Sequence, residues 1–148
     1  MKLKYIMGAI AVIMLVVALY LLYPRFTRPK EACIKLSLET SPKAIPGMNV
    51  TLTVVVKNIG SKSAHNVTVI ATPLSEYLEI SAYGGSSEAN KHHLAILEPG
   101  GERILSYTVH VSKNAYPGKY GIQISVLDQY MNTLTEVEAF IEIIETSG

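Results

Sequence analysis

The chain is poor in the residues that build many specialised sites. It has no Trp, a single Cys and, at Asp128, a single Asp. One Cys excludes an intrachain disulfide framework and any zinc site made of several cysteines. One Asp excludes the Asp-rich loops that bind calcium. Its 13 Lys and Arg nearly balance 12 Asp and Glu, so the basic excess typical of nucleic-acid binding is absent too.

Familiar catalytic patterns are also missing. The sequence contains no G-x-S-x-G, H-E-x-x-H, G-x-G-x-x-G or P-loop pattern. The run Gly84–Ser87 lacks the Lys and the following helix of a phosphate loop, and it is interpreted as a surface loop. Glu136, Glu138 and Glu142 share one face of an alternating strand, which favours a solvated surface over acid–base catalysis. We therefore expect no enzyme, no cofactor and no small-molecule ligand.

Four histidines are available for metal binding, but their positions do not favour a metal site. His92 and His93 are adjacent, so in a strand they point to opposite faces and cannot readily chelate one metal ion together. His65 is interpreted as a turn residue and His110 as part of a polar strand face. No metal site is predicted.

Charge divides the chain into two parts. Residues 1–30 carry five basic groups and no acid, which leaves 13 − 5 = 8 bases against 12 acids in residues 31–148. Residues 5–23 are 19 consecutive uncharged residues. A helix of that length spans ~28 Å, close to the ~30 Å hydrocarbon core of a bilayer. The sequence predicts a transmembrane helix at 5–23, after a cytoplasmic N-terminus at 1–4.

The main alternative for this segment is a cleaved signal peptide. Such a peptide leads into a cleavage site of small residues, whereas this segment runs into YPRFTRPKEAC. Pro24 and Pro29 disfavour helix continuation and indicate a linker over 24–31. Cys33 is interpreted as an unreactive, partly buried thiol at the start of the first strand. The alternatives are a disulfide to a second chain and acylation.

Residues 32–146 are predicted to form one all-β domain. Period-2 alternation with many β-branched residues predicts strands at 48–58, 103–111, 119–127 and 135–143. Weaker strand candidates are 33–39, 66–71, 77–83 and 93–97. Seven or eight short strands separated by Gly and Pro turns indicate an Ig-like antiparallel β-sandwich. Its predicted core consists of Leu52, Val54, Leu105, Val109, Ile122, Ile124, Val137 and Ile141.

Three local predictions concern the turns. Asn58 and Gly60 tolerate a positive φ and are expected to adopt it where the first long strand ends. Gly100 is expected to supply the left-handed position after Pro99. Tyr120, at a strand start after Pro117-Gly118, is either a tyrosine corner or an ordinary core residue.

Three segments in this order resemble CARDB-type Ig-like modules and their S-layer-like relatives in archaeal and bacterial cell-surface proteins. They are VTLTVVVKNIGSKSAHNVTV (50–69), LEPGGERILSYTVHV (97–111) and YPGKYGIQISV (116–126). The resemblance covers about residues 34–127, and the last strand, TEVEAFIEIIE, departs from the family pattern. The resemblance implies an extracytoplasmic adhesion or spacer module without catalytic residues.

Two N-x-S/T sequons, at Asn49 and Asn66, are candidate glycosylation sites if the domain is external. The numbers of positive groups before and after the predicted helix are nearly equal, so these charges do not decide its orientation. Both sequons and the resemblance favour a cytoplasmic N-terminus and an extracytoplasmic domain.

The predicted function is a single-pass, membrane-anchored surface module that is not an enzyme and serves adhesion, protein–protein interaction or envelope assembly. Its expected partners are the bilayer, through residues 5–23, and other envelope or membrane proteins. One alternative is an accessory subunit of a membrane complex. A carbohydrate-binding module ranks lower, because such modules usually expose aromatic residues and Trp is absent.

Overall fold

The computed structural model of the protein describes residues 2–26, 31–39, 41–81 and 88–146. One helix, α1, spans Lys2–Phe26. Nine strands follow: β1 Ile34–Leu38, β2 Lys43–Ala44, β3 Asn49–Asn58, β4 Ala64–Pro73, β5 Leu78–Ser81, β6 Lys91–Leu97, β7 Glu102–Val111, β8 Gly118–Leu127 and β9 Thr133–Ile143.

The strands form two sheets packed face to face. The first has the order β1-β3-β7-β5 and the second has the order β2-β9-β8-β4-β6. Every pairing is antiparallel except that of β2 with β9, which is parallel. The all-β sandwich is therefore confirmed. The additional strand, β2, has two residues between Pro42 and Pro46, too few for a period-2 pattern to reveal.

The predicted strand phases are confirmed by burial. Leu52, Val54 and Val56 of β3 are at most 1% exposed, whereas Thr51 and Lys57 on either side of this run are exposed. The inward residues of β7, β8 and β9 follow the same alternation. Of the predicted core, only Val137 is half-buried, and it packs against the buried cluster.

Two turn predictions have different outcomes at one end of the sandwich. Gly100 has φ +76° and is left-handed as predicted. Asn58 and Gly60 do not have a positive φ, so that expectation is wrong. Gly60 is needed for close approach instead, because a Cβ there would collide with the carbonyl oxygen of Glu31.

Asn58 ties that end of the sandwich together. Its Oδ1 accepts from the backbone N–H of Cys33 (3.2 Å) and Gly60 (3.0 Å), and its Nδ2 donates to the carbonyls of Lys62 (2.7 Å) and Leu97 (2.9 Å). One side chain therefore joins the segment before β1, the β3–β4 turn and the end of β6.

The helix predicted over residues 5–23 lies within α1, where the described side chains, 5–21, are all exposed. Across the described part of the chain, we find no helix that combines the length and the apolar character needed to cross a membrane.

Candidate functional site: a tyrosine cluster and its cleft

Three tyrosines meet at the end of the sandwich opposite Asn58. Tyr77 lies in the β4–β5 loop, Tyr116 in the β7–β8 loop and Tyr120 near the start of β8. The ring of Tyr77 meets those of Tyr116 and Tyr120 edge to face, with centroids 6.1 and 5.8 Å apart. Such T-shaped pairs are favourable beyond the area they bury. Tyr116 nevertheless remains 69% exposed.

Backbone and side-chain hydrogen bonds fix the two loops that carry the cluster. The hydroxyl of Tyr120 donates to the carbonyl of Tyr116 at 2.9 Å, so Tyr120 forms a tyrosine corner, as one of its two readings predicts. The N–H of Ser112 donates to the carbonyl of Tyr77 at 2.8 Å, which joins the two loops directly. The Oγ of Ser112 accepts from the N–H of Asn114 at 3.2 Å. The aromatic surface is thus held in place before any ligand arrives.

A cleft of about 410 Å³ opens beside Tyr77. Its lining residues are Glu76, Tyr77, Leu78, Glu79, His110, Ser112 and Lys113. Leu78 is 5% exposed, so Tyr77 supplies the accessible apolar surface. We call this space, together with the adjoining Tyr116 ring, the tyrosine cleft. Its volume is within the range of ligand sites.

The floor of the tyrosine cleft is set by strand register. Glu79 of β5 pairs with His110 of β7, and His110 pairs with Asn49 of β3. His110 Nδ1 lies 2.7 Å from Asn49 Oδ1. Neighbouring strands are about 5 Å apart, so a row of polar side chains crosses three strands at this point.

The phenol of Tyr77 stays protonated over the physiological range. Desolvation first, and then the charges of Glu76, Tyr116 and Tyr120, raise the pKa of Tyr77 above its ordinary value. A neutral phenol keeps its O–H as a hydrogen-bond donor beside the carboxylates.

The predicted chemistry-bearing residues are largely kept apart. Among the described residues, no three His, Cys, Asp or Glu side chains gather to hold a metal. His65 belongs to β4 rather than to a turn, which corrects its predicted setting. His92 Nε2 lies 3.2 Å from the Ser106 carbonyl, while His93 Nδ1 lies 3.4 Å from Thr68 Oγ1.

The remaining candidates have structural surroundings. Glu136 accepts from Gln123 Nε2 at 2.8 Å, and Glu142 is 3.6 Å from Lys43 Nζ, on an exposed sheet face. Asp128 accepts from Tyr130 and Asn132 in the β8–β9 turn. Cys33 is half-buried just before β1. The run 84–87 lies outside the described residues.

The two sequon asparagines lie in different sheets and in different settings. Asn49 is exposed, and its side chain is bonded to His110. Asn66 is exposed at φ 51°, a left-handed conformation that Asn tolerates better than most residues.

The tyrosine cluster itself was not predicted. Tyr77 and Tyr116 are 39 positions apart, and neither belongs to a local pattern that indicates a site. For Tyr120 the sequence predicts either a corner or an ordinary core residue, and its edge-on contact with Tyr77 depends on how the two loops meet across the sandwich.

No protein-family model matches the chain, and no curated protein matches it. Solved structures do. The CARDB domain of a Pyrococcus furiosus protein, crystallised in complex with di-metal ions, superposes with a TM-score of 0.55 and 14% identity over 79% of this chain and 92% of that domain. The seventh ScaB type I cohesin of Pseudobacteroides cellulosolvens gives 0.51 and 14% over 78% and 95%.

Escherichia coli alpha-2-macroglobulin also matches, with a TM-score of 0.53 and 19% identity over 75% of this chain but 6% of that much longer one. These likenesses show that the chain has a CARDB-like, Ig-like β-sandwich fold, as the resemblance predicts.

Proposed function

We propose that the protein is a membrane-anchored, extracytoplasmic Ig-like module that binds other envelope components and is not an enzyme. The observation that carries the proposal is a sandwich with a buried apolar core whose hydrogen-bonded loops at one end hold an exposed aromatic surface. Tyr is enriched where proteins bind partners, because it offers large contact area at low entropic cost.

The chemistry of the described residues supports a binding role over catalysis. The carboxylate of the exposed Glu136 accepts a hydrogen bond from Gln123, and that of the half-buried Glu142 forms an ion pair with Lys43, so both have a structural partner rather than a base or nucleophile beside them. The Pyrococcus domain was crystallised with di-metal ions. We do not extend metal binding to this chain, because its described His, Cys, Asp and Glu side chains form no group of three.

The membrane anchor is proposed from the sequence. Residues 5–23 carry no charge and are flanked by basic residues on both sides. Nothing in the described sandwich covers the side chains of residues 5–21, which are exposed. A bilayer would remove this apolar surface from water.

Co-purification tests the binding role. The full chain is tagged at Gly148, expressed at native level and extracted in mild detergent, with Tyr116→Ala beside it. We expect envelope proteins to co-purify with the wild type and to be depleted with Tyr116→Ala. Recovery of the chain alone in both cases would contradict the proposal, and a partner at fixed stoichiometry would favour the accessory-subunit form of it.

Glycosylation at the sequons belongs to the same proposal. We expect Asn66 to be modified in preference to Asn49, because the Asn49 side chain is engaged by His110. In a host that glycosylates N-x-S/T sites, Asn66→Gln should remove most of the mass added to the intact chain. A mass that is the same for wild type and for both single Gln variants would contradict this.

A further inference from the structure

The tyrosine cleft combines two kinds of surface. One wall is aromatic and is formed by Tyr77, and the exposed ring of Tyr116 lies beside it, edge to face with Tyr77. The other lining groups are polar: the carboxylates of Glu76 and Glu79, the His110 ring and the Lys113 ammonium. In the part of the chain that is described, neither carboxylate has a hydrogen-bond or ion-pair partner.

We infer that the tyrosine cleft is a binding site for a neutral saccharide. A sugar ring presents C–H groups on its faces and hydroxyls around its edge. The C–H face suits the electron-rich face of a Tyr ring, and the hydroxyls suit carboxylate acceptors and ammonium or phenol donors.

The charges of the cleft select among ligands. Two carboxylates disfavour phosphate, sulfate and acidic sugars by like-charge repulsion. Lys113 lies in the same lining and offsets part of the attraction that the two carboxylates have for a cationic ligand. A neutral molecule that donates to carboxylates and accepts from an ammonium meets no such repulsion.

The shape of the cleft favours a saccharide over a peptide. Peptide anchors fill desolvated apolar pockets with aliphatic or aromatic side chains. Leu78, the aliphatic residue of the lining, is 5% exposed and offers no such pocket. The rings of Tyr77 and Tyr116 stand at 89° to each other, so a sugar ring stacked on the face of one of them meets the other at an angle.

Hydrogen bonds tie together the loops of the site, which matters for weakly binding ligands. The Tyr120 hydroxyl bond to Tyr116 and the Ser112 bond to Tyr77 hold both loops. A preformed site avoids the entropic cost of ordering loops on binding. The inference goes beyond the proposed function, since saccharide binding needs neither the anchor nor a protein partner.

The test titrates the full chain with three neutral probes: cellohexaose, chitohexaose and mannohexaose. The protein is made in a host without N-glycosylation, so that Asn49 beside the cleft is bare, and is held in an amine-oxide detergent, which has no sugar headgroup to compete. With nine Tyr and no Trp, intrinsic emission reports tyrosine directly, and calorimetry gives the dissociation constant.

We expect at least one probe to bind with millimolar or tighter affinity. Tyr116→Ala should weaken it about tenfold, equivalent to about 1.4 kcal/mol, and Glu79→Gln should weaken it without altering the melting temperature. Tyr130→Ala is the matched control, because Tyr130 is 75% exposed in the β8–β9 turn outside the cleft. Its affinity should equal that of the wild type.

Two results would overturn the inference: no binding of any of the three probes to folded wild type, or equal affinity for wild type and Tyr116→Ala. The proposed function is judged separately by co-purification. If no protein co-purifies but a saccharide binds, the proposed function is wrong and the inference stands. If proteins co-purify but no saccharide binds, the inference is wrong and the proposed function stands.

Discussion

Asn58 is the buried polar side chain of the described sandwich, with no exposed surface. Its four hydrogen bonds use both lone pairs and both N–H groups of the amide, so the burial carries no unsatisfied atom. A shorter side chain would leave two N–H groups and two carbonyls unpaired, and unpaired buried groups are costly.

Asn58→Ala should therefore lower the free energy of unfolding by roughly 2–5 kcal/mol. Asn114→Ala is the control, because that side chain is exposed and only its backbone N–H is bonded; it should change stability by less than about 0.5 kcal/mol. Chemical denaturation of the full chain measures both. Equal midpoints for the two variants would show that the Asn58 network is not a stabilising element.

Tyr107 makes the fold sensitive to alkaline pH. It is 1% exposed, its hydroxyl donates to the Val69 carbonyl at 3.1 Å, and burial raises its pKa well above the ordinary value. Above about pH 10 the unfolded chain ionises this phenol while the folded chain keeps it neutral. The unfolded state then binds fewer protons, so stability falls as pH rises.

Tyr107→Phe should remove this contribution, which amounts to about 1.4 kcal/mol per pH unit between the unfolded and folded pKa values. At neutral pH the variant should be about 1 kcal/mol less stable, because the hydrogen bond is lost. The readout is the unfolding free energy from pH 8 to 11.5. Tyr130→Phe, at an exposed position, should follow the wild-type curve; a Tyr107→Phe curve of the same slope would refute the assignment.

At the scale of elements, the β8–β9 hairpin supplies much of the second sheet's core. Ile122, Ile124 and Ile141 are fully buried, and Ile124 pairs with Val137 across the hairpin. Ile124→Ala should destabilise the chain by roughly 2–5 kcal/mol through lost burial and the cavity left behind. Gln123→Ala, one residue away on the outer face, should cost far less. Unchanged melting for Ile124→Ala would mean that the strand phase is wrong.

The predicted strands were recoverable because the period-2 pattern is local. β3, β7, β8 and β9 each present β-branched or aromatic residues to one side over about ten positions, and burial follows that pattern. The short parallel strand β2 was not recoverable, because its pairing with Glu142 and Ile143 depends on a contact about 99 positions away.

Long-range contacts also explain why the sequence does not predict the roles of Asn58, Gly60 and the tyrosine cleft. Asn58 is predicted as a turn residue because Asn-x-Gly is a turn signal, but its role depends on partners as far away as Leu97. Gly60 has the same local signal and a different cause, the approach of Glu31. The tyrosine cleft joins two loops that only the folded sandwich brings together.

For the molecule as a whole, the sandwich has two unlike ends. The segment before β1 lies at the Asn58 end, where Ile59 and Ser61 donate to the carbonyls of Cys33 and Glu31. The tyrosine cleft lies at the other end, beside Asn49, nine residues along β3 from Asn58. Nine steps along a strand span about 30 Å. Any anchor at the N-terminus therefore leads into the end of the sandwich that lacks the cleft.

This polarity makes the orientation of the chain in a membrane decisive for function. With the N-terminus inside, the sandwich and its cleft would lie outside the cell, where the proposed envelope partners would be. For the proposed anchor the positive-inside rule does not decide the orientation, because Lys2 and Lys4 precede residues 5–23 and Arg25, Arg28 and Lys30 follow them. The outside location of the sandwich, which both sequons would require for glycosylation, stays a prediction.

Protease added to intact cells should digest the sandwich and remove a tag at Gly148, while a tag placed before Met1 stays intact until the membrane is permeabilised. The control variant, Arg25→Gln combined with Arg28→Gln, removes positive charge from the outer flank, so it should raise the fraction of chains in this orientation. If the tag at Gly148 is instead protected in intact cells, the sandwich is cytoplasmic. The cleft would then meet no extracellular saccharide, and both the surface-module proposal and glycosylation at Asn66 would fail together.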